Sequence, residues 1–250
     1  MFDVPLFLMI SATAVAAIAF AVPGQVRGLL SRRSDITAPP RLVMVGAAAQ
    51  QSLIAVGLAA AGTALAPQTG LAAPWFAAVS HGEGLGLGEA AAQIPAATLV
   101  GGVSIVVFLS LYYRVFRPLV AAEDIAPIEE QRNSMGLMGR VLMGGVAEEV
   151  MFRWGVMSVM AWLAVGVLGM PAGMGMWVAI VVAGLLFGLG HLPSVMAEGV
   201  KLSRSIVGMA LVLNMVVGVA FGWLFWQYGL LAAIAAHGLL HVVWQRFESR

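Results

Sequence analysis

The sequence predicts an all-α fold, a polytopic bundle of transmembrane helices. Of its 250 residues, 61% are hydrophobic and only 10% are charged, and the mean hydropathy is +0.95. Soluble domains carry about 25% charged residues, so this composition is far more apolar. Apolar stretches of roughly 20 residues, the length that crosses a bilayer as a helix, recur along the chain. Lipid is therefore the expected solvent for most of the surface.

Seven stretches have the length and hydropathy of a membrane span, and the pattern allows six to eight. The predicted spans are 4–22, 42–66, 95–113, 137–162, 175–191, 206–226 and 230–245. Residues 67–94 are rich in Gly and Ala and are predicted as an outer loop with room for an interfacial helix. The first span has no preceding Lys or Arg, unlike a cleavable secretory signal, so it is expected to remain as a helix.

The positions of the cationic residues predict the orientation, because cytoplasmic loops carry an excess of Lys and Arg. With the N-terminus outside and the C-terminus in the cytoplasm, all 13 cationic residues except Arg153 fall on the cytoplasmic side. Those twelve are Arg27, Arg32, Arg33, Arg41, Arg114, Arg117, Arg132, Arg140, Lys201, Arg204, Arg246 and Arg250. The predicted location is a prokaryotic plasma membrane.

Charge and cysteine content exclude several functions. The net charge is +1, without the basic stripe that phosphate binding requires, so nucleic acid is not expected as a partner. The chain has no Cys, which excludes disulfides, thiolate nucleophiles and Cys-bound metals. Membrane lipid and a protein or peptide substrate are the expected partners, and the oligomeric state is not predicted.

Six ionisable residues lie within the predicted spans, where each costs roughly 2.5 to 3.5 kcal/mol on insertion scales. Such residues are expected where they form a pair, face a cavity or have a function. The six are Glu148, Glu149, Arg153, His191, His237 and His241. The rise of a helix, about 1.5 Å per residue, places all of them at a similar depth in the cytoplasmic half. Asn214, on the sixth span, has the depth to join them.

Helical geometry divides the cluster into two parts. Glu149 and Arg153 are spaced i,i+4, which predicts an ion pair on one helix face. Glu148 is turned about 100° from its neighbour and is predicted to face a cavity. His237 and His241 are also spaced i,i+4, so both can reach one small volume.

Two chemistries suit these residues. In the first, the Glu148 carboxylate and a histidine activate water, and two further histidines stabilise the oxyanion of an amide under attack. In the second, His191, His237, His241 and Glu148 bind zinc, for which three imidazoles and a carboxylate are acceptable ligands. Both chemistries predict a protease, either glutamate-type or metal-dependent.

Two non-proteolytic hypotheses use the same residues. In a non-catalytic immunity or scaffold protein, the polar cluster would serve helix assembly, and changes at Glu148 would matter little. A proton-coupled carrier would place acidic groups along a path through the membrane, whereas these concentrate at one level.

The motifs resemble those of the CAAX-protease and bacteriocin-processing (Abi) family, which includes the type II CAAX prenyl endopeptidases. Glu148-Glu149-Val-Met-Phe-Arg153 matches its EExxxR motif, and Phe187-Gly-Leu-Gly-His191 matches its FxxxH motif. His237-Gly-Leu-Leu-His241 occupies the place of its HxxxN motif. The likeness covers roughly residues 137–245, so we divide the chain into N-terminal helices and loops, 1–136, and a catalytic core, 137–250.

The resemblance implies an intramembrane endopeptidase in which Glu148 and His191 activate water. It also implies that Glu149 and Arg153 support the site and that His237, with residue 241, stabilises the oxyanion. His241 stands where prenyl endopeptidases carry Asn. This departure keeps a donor but adds a potential metal ligand, so it leaves zinc open and weakens the case for a prenylated CAAX substrate.

Overall fold

The computed structural model describes residues 2–248, which form nine helices and no strand. The helices are α1 (Val4–Arg32), α2 (Pro40–Thr69), α3 (Pro74–Ser80), α4 (Leu87–Leu119), α5 (Ala122–Ser134), α6 (Gly136–Val167), α7 (Ala172–Ala197), α8 (Arg204–Tyr228) and α9 (Leu230–Glu248). Seven of them, all except α3 and α5, are long and apolar enough to cross a membrane. The predicted helical bundle is confirmed. Arg250, one of the predicted cytoplasmic cations, lies outside the described residues.

Three helices extend well beyond the predicted spans, because each continues through a proline. Helix α1 contains Pro23, α4 contains Pro95 and α7 contains Pro193. Proline is tolerated in membrane helices when neighbouring groups satisfy the backbone atoms that it frees. As a result, His191 does not end its helix as predicted but lies six residues before the end of α7.

The connections contain two helices that do not cross the membrane. Helix α3 lies in the predicted outer loop, and it packs against α1, α4 and α9. Helix α5 was not predicted; it is polar and carries Glu123 and Asp124 in its first turn, where acidic side chains favour the helix dipole. Gly136, with a φ of 65°, turns the chain from α5 into α6.

Helix α6 lies at the centre of the bundle and carries the ionisable residues of the fourth span. It packs against α1, α2, α7 and α9. Its backbone forms π-helical turns over Val141–Glu148 and Val150–Met157. Such turns are uncommon and occur frequently at functional sites.

Small residues let the helices around α6 approach closely, as expected in a membrane. A methyl group added to Gly62 of α2 would lie 2.5 Å from the Trp154 ring of α6. One added to Gly218 would lie 3.0 Å from Cα of Gly184, so α7 and α8 approach closely at these two glycines. The indole Nε1 of Trp154 also donates a hydrogen bond to the carbonyl of Ala59, at 3.2 Å.

The outer faces of the long helices expose large apolar side chains, as lipid contact requires. Examples are Leu42, Leu53, Leu99, Val106 and Leu185. The buried core includes residues from both sides of position 136, so the two halves pack as one bundle. The division of the chain at that position stays a prediction.

Candidate active site

The predicted ion pair between Glu149 and Arg153 lies in the centre of the bundle. Oε2 of Glu149 is 3.1 Å from Nε of Arg153, and the two side chains are 0% and 1% exposed. The Arg153 guanidinium also lies over the ring of Phe187, 5.0 Å from its centroid, and over that of Phe221 at 6.0 Å. A cation in this position is attracted by the faces of the aromatic rings. Arg153 is therefore held by α6, α7 and α8 together.

The second oxygen of Glu149 contacts His237, a pairing that the sequence did not predict. Oε1 of Glu149 accepts a hydrogen bond from Nδ1 of His237 at 2.8 Å, which joins α6 to α9. Because Glu149 is ion-paired with Arg153, it is a carboxylate and can only accept, so Nδ1 of His237 carries the proton. Nε2 is then an acceptor in neutral imidazole and a donor only in imidazolium.

His241 is stacked on His237, one turn along α9. The ring centroids are 5.0 Å apart and the planes differ by 21°. Both ring nitrogens of His241 are buried and have no hydrogen-bond partner within residues 2–248. They are therefore available to a ligand in the adjoining cavity, which His241 helps to line.

Gly144 shows where the two histidines point. A methyl group on Gly144 would lie 2.2 Å from Nε2 of His241 and 3.2 Å from Nε2 of His237. Both atoms thus lie against the backbone of α6 at this residue. Gly144 precedes Glu148 by four positions, and residues at this spacing lie on one helix face.

Glu148 faces a cavity of about 430 Å³, as the sequence predicted. Its side chain is partly buried, in contrast to the fully buried Glu149. The same cavity is lined by all three histidines of the cluster, His191, His237 and His241. The two neighbouring glutamates therefore have different environments, one open to a ligand and one closed within the protein.

His191 enters the cavity from α7. Its Nδ1 lies 2.7 Å from the backbone carbonyl of Phe187. A carbonyl oxygen only accepts, so Nδ1 carries the proton and Nε2 of the neutral ring has a free lone pair. This arrangement suits a residue that accepts a proton from water or orients it.

Asn214 also lines the cavity, from α8. Its Nδ2 donates a hydrogen bond to the carbonyl of Ala210 at 2.8 Å. This bond holds the amide against its own helix. A direct role for Asn214 in the chemistry stays a prediction.

The side chains predicted as zinc ligands line one cavity, but they do not form a ligand set as they stand. Among residues 2–248, no group of three or more His, Asp and Glu residues has the arrangement to hold a metal ion. Zinc binding through His191, His237, His241 and Glu148 stays a prediction.

Several residues of the site were not found from the sequence. Gly144 carries a weak signal, since it lies one helical turn before Glu148. The sequence marked Phe187 only as the first residue of a motif, and nothing in the sequence indicated that Phe221 belongs to the site. Both contact Arg153 through rings on other helices, which a linear pattern does not report.

Comparison with known proteins identifies the part of the chain that carries this site. Residues 131–243 match a family model described as type II CAAX prenyl endopeptidase Rce1-like. The matched segment contains all six predicted ionisable site residues. No curated protein and no solved structure matches the chain.

Proposed function

We propose that this chain, whose residues 131–243 form an Rce1-like domain, is an intramembrane endopeptidase that hydrolyses a peptide bond with water activated by Glu148 and His191. The match supports the resemblance stated from the motifs. One observation carries the assignment of the site. Glu148 and His191 line one cavity with the two histidines whose Nε2 atoms lie against Gly144.

The attacking water is activated between α6 and α7. The Glu148 carboxylate takes a proton from water while Nε2 of His191 orients the same molecule, and the water oxygen bonds to the carbonyl carbon. The carbonyl π electrons move to oxygen. When the C–N bond breaks, protonated Glu148 transfers its proton to the leaving amine, so the site returns to its starting state.

His237 and His241 lie where the oxyanion forms. Neither ring nitrogen of His241 has a hydrogen-bond partner within residues 2–248, so the ring can donate from whichever nitrogen carries its proton. His237 can donate from Nε2 only as imidazolium, since its Nδ1 proton is held by Glu149. Glu149 therefore supports the site by holding the His237 ring through Nδ1, and Arg153 holds the other oxygen of Glu149.

The family description supports a substrate with a prenylated C-terminal tail, in which a lipid is attached to the Cys of a C-a-a-X sequence. Such a tail would approach from the cytoplasmic side or from lipid, in keeping with the predicted orientation. Because His241 stands where prenyl endopeptidases carry Asn, peptides without a prenyl group are tested as well. The proposed location is a prokaryotic plasma membrane.

A cleavage assay tests the function directly. The purified chain is incubated in lipid nanodiscs with quenched fluorogenic peptides that end in Cys-Val-Ile-Ser, with and without a farnesyl group, and the products are identified by mass spectrometry. We expect one cut near the farnesylated Cys. Intact peptides after prolonged incubation would contradict the proposal.

Metal dependence is measured in the same assay. Cleavage that survives 1,10-phenanthroline supports the glutamate-type mechanism. Loss of cleavage, followed by its return on addition of zinc, would instead assign a metal to Glu148 and the three histidines.

Replacing Gly144 by Ala should reduce turnover without unfolding the chain. The added methyl group would collide with Nε2 of His241, the far end of a side chain that can turn away. A displacement of about 1 Å in a catalytic group can cost on the order of a hundredfold in rate. We therefore expect kcat to fall by roughly ten- to a hundredfold, measured in the peptide assay.

Gly139→Ala is the matched control on the same helix. A methyl group there meets only Cβ of Met135, at an ordinary distance of 3.5 Å. Its turnover should stay within about twofold of the unchanged protein. Equal activity in the Gly144 and Gly139 variants would show that the two histidines are not where the reaction takes place.

A further inference from the structure

Two arginines line the same cavity as the proposed catalytic residues and have no role in the hydrolysis. Arg132, near the end of α5, and Arg140, near the start of α6, both contribute to its wall. Their side chains are only 13% and 3% exposed. Two guanidinium groups buried this deeply require anionic partners.

The partner in this structure is a carboxylate of the chain itself. Nη1 of Arg140 donates to Oε2 of Glu248 at 2.6 Å, and Nε of Arg132 contacts the other oxygen, Oε1. Glu248 is the last residue of α9, and its side chain is 8% exposed. The two arginines therefore hold one carboxylate between them.

The two guanidinium groups can donate more hydrogen bonds than the Glu248 carboxylate accepts from them. The two guanidinium groups share the Glu248 carboxylate, with Glu129 beside Arg132, and Nε of Arg140 is buried with no hydrogen-bond partner within residues 2–248. The Arg132 guanidinium also lies 4.0 Å from the ring centroid of Trp244, which orients it. Trp244 lines the cavity too. The arrangement is a preformed carboxylate site at the cavity wall, with an arginine held over an aromatic ring.

We infer that Arg132 and Arg140 bind a carboxylate of the peptide substrate, and that Glu248 occupies their site until the substrate displaces it. The inference rests on the proposed endopeptidase function for the peptide nature of the ligand. The group that occupies the site in this structure, the side chain of Glu248, is itself a carboxylate, which indicates the chemistry that the site accepts. Fork-shaped guanidinium groups match a carboxylate in geometry as well as in charge.

The two sites are close enough for one peptide to reach both. Arg140 precedes Glu148 by eight residues on α6, which is roughly 12 Å at the rise of an α-helix and less through the π-helical turns between them. An extended peptide covers about 3.3 Å per residue, so a short stretch of substrate spans this distance. A carboxylate held by the arginines would thereby position a peptide bond beside Glu148.

Binding measurements test the site independently of cleavage. Fluorescein-labelled farnesylated peptides that end in Cys-Val-Ile-Ser are prepared as the free acid, as the C-terminal amide, and as an amide with Asp as the last residue. Affinities are measured by fluorescence anisotropy in the unchanged chain and in Glu148→Gln. We expect the free acid to bind about tenfold more tightly than the amide, as for hydrogen bonds to a charged group. The Asp peptide shows whether a side-chain carboxylate can replace the terminal one.

Variants of Glu248 and of Arg140 are expected to change the affinity in opposite directions. Glu248→Gln removes the competing carboxylate and should raise the affinity for the free acid several-fold while leaving that for the amide unchanged. The double variant Arg140→Gln with Glu248→Gln removes one arginine together with the carboxylate that it contacts but keeps Arg132, and it should lose most of the preference for the acid. Arg140→Lys keeps the positive charge and should retain part of that preference.

Equal affinities for acid and amide, or an acid affinity that Glu248→Gln does not raise, would overturn the inference. If the chain cleaves both peptides with no preference, the carboxylate site is contradicted but the proposed endopeptidase function stands. If the chain binds the acid more tightly through the arginines but cleaves neither peptide, the carboxylate site stands and the proposed endopeptidase function is contradicted.

Discussion

We expect Glu148→Gln to abolish peptide cleavage while the protein remains folded. The amide has nearly the same shape as the carboxylate but cannot accept a proton from water, so the general base is lost. Loss of general-base catalysis costs about 10²- to 10⁴-fold in rate. Since Glu148 is only partly buried and faces the cavity, its replacement leaves no buried charge unpaired. The measurement is kcat in the peptide assay, together with the elution volume and melting temperature in detergent.

Glu123→Gln is the control for this variant. Glu123 lies on the exposed first turn of α5, away from the cavity, and its replacement should change neither kcat nor the melting temperature. Unchanged turnover in Glu148→Gln would end the proposed mechanism and would favour the non-catalytic scaffold, in which this residue matters little.

Arg153→Met should destabilise the fold more than any other single change considered above. Arg153 is 1% exposed and is paired with Glu149, which is 0% exposed, so removal of the arginine leaves a buried carboxylate with only His237 as a partner. Breaking a buried ion pair in this way costs about 3 to 5 kcal/mol in the free energy of unfolding. For a chain of this size, that cost lowers the melting temperature by on the order of 10 °C. Thermal unfolding in detergent, followed by scattering and intrinsic fluorescence, measures the change.

The double variant Glu149→Gln with Arg153→Met separates charge from packing. Removal of both charges leaves neither one buried alone, so it should recover more than half of the lost melting temperature. Arg27→Met, at an exposed position of α1, serves as the control and should shift the melting temperature by only a degree or two. A melting temperature as high in Arg153→Met as in Arg27→Met would show that the ion pair does not hold the helices together.

The number of spans was predictable because hydropathy and bilayer thickness act on each helix separately. The positions of the helix ends were harder to predict. The prediction began the third span at residue 95 and ended the first at residue 22, whereas α4 starts at Leu87 and α1 ends at Arg32. In both cases a proline coincides with the predicted boundary, and the chain continues as a helix through it. Proline limits a helix in water more strictly than it does within a packed membrane bundle.

The six ionisable residues were identified from their cost in lipid, and the pairing of Glu149 with Arg153 followed from their spacing of four. Both are local properties of one helix. The contact of Glu149 with His237 spans 88 positions of sequence, and that of Arg140 with Glu248 spans 108. No periodicity contains this information, because these contacts depend on how α9 is rotated and displaced relative to α6.

The sequence by itself therefore determined the helical bundle and the shared helix face of Glu149 and Arg153, since these depend only on lipid and on the helical repeat. The tertiary structure decided which charges meet. It placed Glu149 between Arg153 and His237 and left Glu148 open to the cavity. The physical reason is the packing of glycines such as Gly144 and Gly145, which bring α9 close enough to α6 for its histidines to lie against that helix.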